Sequence, residues 1–172
     1  MSCLDRIRAL IVVLALAAAP PGATAQDLRT GDVGESWRAS LNQTVADRNH
    51  WKWILRYVER HGDTLAIGLN YKNAASTGRP LLLAADYMTA IALVNDATAE
   101  RFSLIGVEGI SAEVTPIDRH ETRQARFVFA YPEGADEVSF ASQWISMRMG
   151  GEASVTEVGF SIAIPPPGAR PI

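Results

Sequence analysis

Two arms of alternating large apolar residues, joined by a tight turn, constrain this chain more than any other stretch. In WKWILRYVERHGDTLAIGLNYKN, Trp51, Trp53, Leu55 and Tyr57 fall at every second position, and so do Leu65, Ile67, Leu69 and Tyr71. Successive strand side chains point to opposite faces, so each arm presents one large apolar face. His61-Gly62-Asp63 supplies the turn, and the whole reads as a half-buried hairpin that opens a sheet. Trp51, Trp53 and Trp144 are assigned to the core rather than to an outward ligand strip, because aromatic side chains dominate core burial.

The same period continues down the chain. Leu81 to Tyr87 and Thr89 to Val94 read as strands, and Asn95-Asp96-Ala97-Thr98 as a turn. Arg101 to Val107 returns with Phe102 and Leu104 on one face. Glu108 to Arg123 is polar, is broken by Gly109 and Pro116, and holds at most one short strand near residues 112–115. RFVFAY, residues 126–131, is the second strong strand, and Val138 to Met147 follows with Val138, Phe140 and Trp144 in phase. Beyond Trp144 the phase is ambiguous, because Ile145, Met147 and Met149 alternate on the other side. After a Gly150-Gly151 turn, Ser154 to Ile164 closes the series with Val158, Phe160, Ile162 and Ile164 in register. Seven to nine short strands at this spacing predict an all-β, antiparallel, immunoglobulin-like β-sandwich. RFVFAY and the Val138–Met147 strand are expected to form the wall opposite the hairpin. The domain is placed at residues 51–165, with a Pro-rich tail at 166–172 that cannot enter a sheet interior.

Residues 26–50 are expected to form an N-terminal extension. Val33, Trp37, Leu41 and Val45 recur at four-residue spacing, as on one stripe of a short helix, while Trp37, Ala39 and Leu41 also alternate and leave a strand open. Trp37 either pins this segment to the sheet or sits at an interface. Ahead of it, Arg6 and Arg8, the apolar run Ala9 to Ala19, and Ala23-Thr24-Ala25 predict a signal peptide over residues 1–25, cut before Gln26. The run is short against the roughly 20 residues that span a bilayer, so no membrane span is expected after cleavage. The protein is therefore expected to be exported, to the periplasm or the medium. Its one cysteine, Cys3, precedes the apolar run, so the mature chain has no disulfide, thiolate nucleophile or cysteine ligand.

Part of this pattern resembles small exported bacterial proteins with immunoglobulin-like sandwiches, of the secreted-antigen and unassigned-domain type. LAIGLNYKNAASTGRPLLL is similar to their passage from a strand ending in Asn, here Asn73, through a short loop to Pro and a further strand. Leu93 to Phe102, with Asp96, resembles their L-x-x-D-x-x-G/A-x-x-[YF] passage, and FVFAYPEG their aromatic strand ending in a proline turn. Ala97-Thr98-Ala99 stands where a glycine-bearing turn is usual, and the lipid attachment of many members is missing. The resemblance spans residues 51–145 and implies a fold and an export route, without implying a catalytic residue.

A net charge of −3 with interspersed signs removes the electrostatic support for nucleic-acid binding. The chain lacks H-x-H, H-E-x-x-H and G-x-S-x-G spacings and glycine-rich phosphate loops. No metal or cofactor is expected. If a site exists, its candidates are His120, Glu121 and Asp118 in the polar 108–123 loop, with His61 and His50. They would serve an envelope hydrolase working through carboxylates and histidine. The first expectation is instead a non-enzymatic binding module whose partner is another envelope or extracellular protein. A third reading is an assembly subunit that pairs through an edge strand, and its sign would be a long unpaired edge.

Overall fold

The computed structural model describes residues 36–84, 90–110, 116–147 and 152–165. The expected leader, the Tyr87 end of the third strand, residues 112–115, the Gly150-Gly151 turn and the Pro-rich tail lie outside the described residues. Two residues, Gly62 and Asp63, join β2 (Trp51–His61) to β3 (Thr64–Asn73), and Gly62 takes the left-handed φ of +55° that favours glycine. The remaining strands are β1 (Ser36–Arg48), β4 (Arg79–Leu83), β5 (Ile91–Asn95), β6 (Arg101–Phe102), β7 (Leu104–Glu108), β8 (Pro116–Ile117), β9 (Thr122–Ala130), β10 (Glu137–Met147) and β11 (Ala153–Ala163).

Two antiparallel sheets form the sandwich. Sheet one runs β1-β2-β3-β9-β7. In sheet two β11 flanks β10 on one side, and on the other side β5 faces Val138–Ser142 while β4 faces Trp144–Ser146. β4 and β5 are thus one strand, interrupted by the excursion between Leu83 and Ile91. Read that way, β2-β3-β9-β7 and β4/β5-β10-β11 reproduce the ABED and CFG strand orders of a constant-type immunoglobulin domain, with β1 added outside the first strand. The chain is an all-β, immunoglobulin-like sandwich. Among the described residues there are eleven ladder segments against the seven to nine expected, because one strand is broken in two and β6 and β8 are two-residue fragments.

β1 decides the choice between helix and strand that the spacing left open across residues 33–47, for Ser36 onward. It is a strand paired with β2, and it carries register shifts between Ser40 and Gln43 and between Thr44 and Ala46. Trp37, Ala39, Leu41, Gln43 and Val45 all lie on the more buried side, so the four-residue spacing of Trp37, Leu41 and Val45 is two strand periods, with small Ala39 and polar Gln43 between them. Trp37 and Ala39 are buried on the inner face, so Trp37 pins the segment to the core and the extension belongs to the sandwich.

The two walls also differ from expectation. β9 pairs with β3 along its whole length, from Thr64↔Ala130 to Lys72↔Thr122, so RFVFAY extends the hairpin's own sheet. The opposing wall is β4/β5-β10-β11. Arg101 to Val107 is likewise not one strand: at Ser103 the chain leaves sheet two for sheet one, β6 pairing β5 and β7 pairing β9.

Aromatic rings hold the sheets together. Tyr71 of β3 meets Trp144 of β10 at 5.3 Å between ring centroids, where an immunoglobulin domain has its inter-sheet disulfide. Phe127 and Phe129 of β9 stack on Phe140 of β10 at 5.2 and 6.1 Å. Trp51, Trp53 and Trp144 are fully buried, as expected. The ambiguous phase of β10 resolves here: Ser142 and Ser146 occupy inner positions, where their hydroxyls accept the indole N–H groups of Trp144 and Trp51, both at 2.9 Å.

Tyr57 departs from the alternation that placed it with Trp51, Trp53 and Leu55. Arg56 is an extra residue in the β2–β3 ladder, so Val58 takes the core position and Tyr57 moves to the outer face. Its ring lies on Gly68 with the Arg38 guanidinium 4.1 Å from its centroid. A Cβ at Gly68 would meet that ring at 2.2 Å. Gly68→Ala is therefore expected to lower stability by about 1–3 kcal/mol through overpacking. In a double-mutant cycle with Tyr57→Ala most of that loss should disappear, read from denaturant midpoints.

Candidate functional site

The structure divides the candidate polar residues between two ends of the sandwich. His61 stands at the tip of the β2–β3 hairpin, exposed, with Ser36 Oγ 3.4 Å from its Nδ1. Next to that tip, Asp63, Glu100, Phe102, Ala130, Tyr131 and Glu133 line a shallow hollow of about 310 Å³. His50, Asp118, His120 and Glu121 lie at the opposite end, roughly 30 Å away along the strand.

At that end Asn73 is the organising residue. It is fully buried, and its Nδ2 donates to the carbonyls of Thr77 and Ile117, each at 2.9 Å. Its Oδ1 accepts the Ala75 N–H at 2.9 Å, in an Asx turn. The main chain continues the tie: Asn73 C=O accepts from His120 N–H, Asn73 N–H donates to Glu121 C=O, and Ala74 N–H donates to His50 C=O. His50 and the 118–121 loop are thus gathered through their backbones around one buried amide.

Their side chains engage near neighbours. Glu121 accepts from Arg123 Nε at 2.7 Å with one carboxylate oxygen and from Asp118 N–H at 2.8 Å with the other. The Arg123 hydrogen bond first, and the Asp118 N–H second, hold the Glu121 carboxyl below its ordinary range. His120 Nε2 accepts from Arg119 Nε at 2.8 Å. Burial pushes the Tyr71 phenol up, against the nearby Arg123 charge, and its hydroxyl donates to Gly109 C=O at 3.1 Å. Among the described residues no group of three or more His, Cys, Asp or Glu is placed to hold a metal ion.

The Glu121 arrangement makes a pH prediction. A carboxyl depressed on folding binds fewer protons folded than unfolded, so its contribution is complete above the ordinary glutamate range. It is lost as pH falls through the lower, folded value. Thermal midpoints should drop through that acid window, and Glu121→Gln should flatten this part of the profile.

The outer faces of the two sheets offer a second kind of surface, and they differ in chemistry. Sheet one carries ion pairs outside, Arg38 with Glu59 at 3.9 Å and Arg126 with Glu108 at 3.1 Å, and its one strongly exposed large apolar side chain among the described residues is Ile105 of the edge strand β7. Sheet two presents the cross-strand row Leu82–Ile145–Val155, flanked by Met147–Ala153. Below them come Ala92–Ala141–Gly159 and Val94–Ser139–Ser161. Val155 is 61% exposed, and Leu82, Ile145, Met147, Ala92 and Val94 are half-buried. Its polar groups bond one another: Gln143 donates to Glu157 at 3.3 Å, and Ser139 to Asp96 at 2.9 Å. Residues at alternating positions of unbulged strands are held rigidly, so this face is preorganised. Sequence reasoning assigned Ile145 and Met147 only as an unresolved phase and did not single out Leu82 or Val155. The signal was present in the alternation of β10 and β11, whose second faces are apolar or small.

No protein-family model matches the chain, and no curated protein matches it. Among solved structures it is similar to "Crystal structure of yeast GGA1_GAE domain-P21", at 12% identity and a TM-score of 0.38, covering 72% of this chain and 99% of that one. Among the described residues no helix is long and apolar enough to cross a membrane.

Proposed function

We propose that this chain is an exported, non-enzymatic interaction module of the cell envelope or secreted fraction. It binds another envelope or extracellular protein through the outer face of sheet two. The observation that carries this reading is the apolar row Leu82–Ile145–Val155, with Val155 exposed and its neighbours half-buried, on strands that pair without a register shift. Exposed apolar area of that kind marks docking surfaces, and charge-poor centres are typical of them. Export rests on the basic, apolar and small-residue pattern of residues 1–25.

The test is capture from the native envelope with the mature protein and with Val155→Asp. A buried aspartate in an apolar contact costs about 2 kcal/mol or more, so retention of the partner should fall at least about tenfold at unchanged thermal stability. Arg56→Asp, on the exposed outer side of sheet one, should leave capture intact. Undiminished capture by Val155→Asp overturns the reading. So does a hydrolytic activity that His120→Ala abolishes, which would restore the envelope-hydrolase alternative.

A further inference from the structure

Sheet edges expose unpaired N–H and C=O groups, and proteins blunt them with bulges, charges, prolines or short strands. Three edges of this sandwich are blunted in those ways. β1 carries two register shifts and the charges of Arg38, Asp47 and Arg48. β7 is five residues long with a shift between Leu104 and Gly106, and the β6/β8 edge consists of two-residue fragments, one beginning at Pro116.

β11 is different. It pairs with β10 without interruption from Glu137↔Ala163 to Met147↔Ala153, and among the described residues it has no ladder partner on its other side. Between Val155 and Ala163 its only charge is Glu157. The phase of its ladder is fixed by the Ile164 N–H, which donates to Asp136 C=O at 2.8 Å. Hydrogen-bonded and non-hydrogen-bonded pairs alternate in an antiparallel ladder. The even positions, which face the core, therefore bond to β10. Val155, Glu157, Gly159, Ser161 and Ala163 direct their N–H and C=O groups to the open edge.

We propose that β11 pairs antiparallel with β11 of a second copy of this chain, in the register that sets Gly159 opposite Gly159, fusing two copies of sheet two into one. This deepens the reading of sheet two as the interaction surface and rests on it. The edge is self-complementary. Only odd positions present bonding groups, so odd must face odd. The register that sets Glu157 opposite Glu157 places like charges in contact, and a shift to Glu157 opposite Gly159 still leaves them diagonal neighbours at about 7–8 Å. Centring on Gly159 sets Glu157 against Ser161 and Val155 against Ala163 and moves the two carboxylates further apart. The edge carries no cation that would select an acidic partner, and two-fold pairing of identical patches is the commonest closed assembly. β1 lies beside the end of β11, with Leu41 and Gln43 near Ser161 and Ala163, but belongs to the other layer and forms no ladder with it.

Sedimentation equilibrium of the mature chain should show a concentration-dependent dimer. Gly159→Pro deletes an N–H directed away from β10, and across the two-fold axis it removes two hydrogen bonds. The dimer dissociation constant should rise about thirtyfold. If Gly159→Pro lowers the thermal midpoint, Ser161→Glu, which sets a second carboxylate against Glu157 of the other copy at both ends of the pairing and should weaken the dimer, decides the matter in its place. In the mature chain, which starts beyond Cys3, Gly159→Cys should oxidise to a disulfide-linked dimer, whereas Ala141→Cys, one strand inward on the same exposed face, should not. A monomer at all concentrations, a dimer indifferent to Gly159→Pro and Ser161→Glu, or equal cross-linking from both cysteines overturns the proposal. Loss of partner capture in Val155→Asp would then still stand for the face itself, so the two readings fail separately.

Discussion

Replacing Trp144 with alanine is expected to remove about 3–5 kcal/mol of folding stability, the largest single loss in this molecule. The ring is fully buried and contacts Trp53 at 6.1 Å, Tyr71 at 5.3 Å and Phe127 at 6.3 Å, so it touches three strands of sheet one from β10. Its indole N–H is also the partner of the buried Ser142 hydroxyl. Truncation opens a cavity that rings on regular strands cannot collapse into, and it leaves that hydroxyl with the Val158 carbonyl as its remaining partner. Small domains hold about 5–15 kcal/mol in total, so the variant should sit near the edge of folding. Denaturant unfolding should show a much lower midpoint at unchanged slope. A midpoint within the effect of a surface substitution would mean that the sheets are not held together at this point.

Asn73→Ala is expected to cost about 3 kcal/mol by a different mechanism. The amide pairs with two carbonyls and one N–H from two chain segments, the loop after β3 and β8, and it is fully buried. Deleting it leaves three backbone groups unpaired, whereas a cavity of this size in an apolar site would cost less. Asn73→Asp should do no better, because it turns a carboxylate oxygen towards the carbonyls of Thr77 and Ile117. Hydrogen exchange separates this from a general loss of stability: the amides of Ala75 and His120 should lose protection beyond the global change.

The sandwich was legible because its core strands alternate cleanly. Leu65 to Tyr71, Phe127 to Phe129 and Val158 to Ile164 show one face each, and no side chain on those faces needs a special partner. Three features were hidden for identifiable reasons. Phase is disguised in two ways: the extra Arg56 sends Tyr57 outward, and in β1 the small Ala39 and polar Gln43 leave Trp37, Leu41 and Val45 as large apolar residues at every fourth position of one strand face. Polar residues that satisfy buried indoles look like solvent-facing ones, as Ser142 and Ser146 did. Strand partnership is non-local, and nothing in RFVFAY itself says that it lies beside β3 rather than across from it.

The candidate site was legible only in part. Asn73 stood out as a strand-ending Asn, and its fan of hydrogen bonds explains why that position takes an amide. His50, Asp118, His120 and Glu121 do come together, but through main-chain bonds to Asn73 and Ala74, and His61 is at the far end of β2. The apolar outer face of sheet two needs the register of four strands to be seen, since Leu82, Ile145 and Val155 are far apart in sequence.

Site-specific photo-cross-linking in the native envelope tests the central claim most directly. A photoreactive residue at Val155 should yield a discrete protein adduct, and the same group at Arg56 on the polar face of sheet one should yield none above background. Adducts from Arg56 alone, or none from Val155 while the protein is folded and in place, would contradict recognition through sheet two.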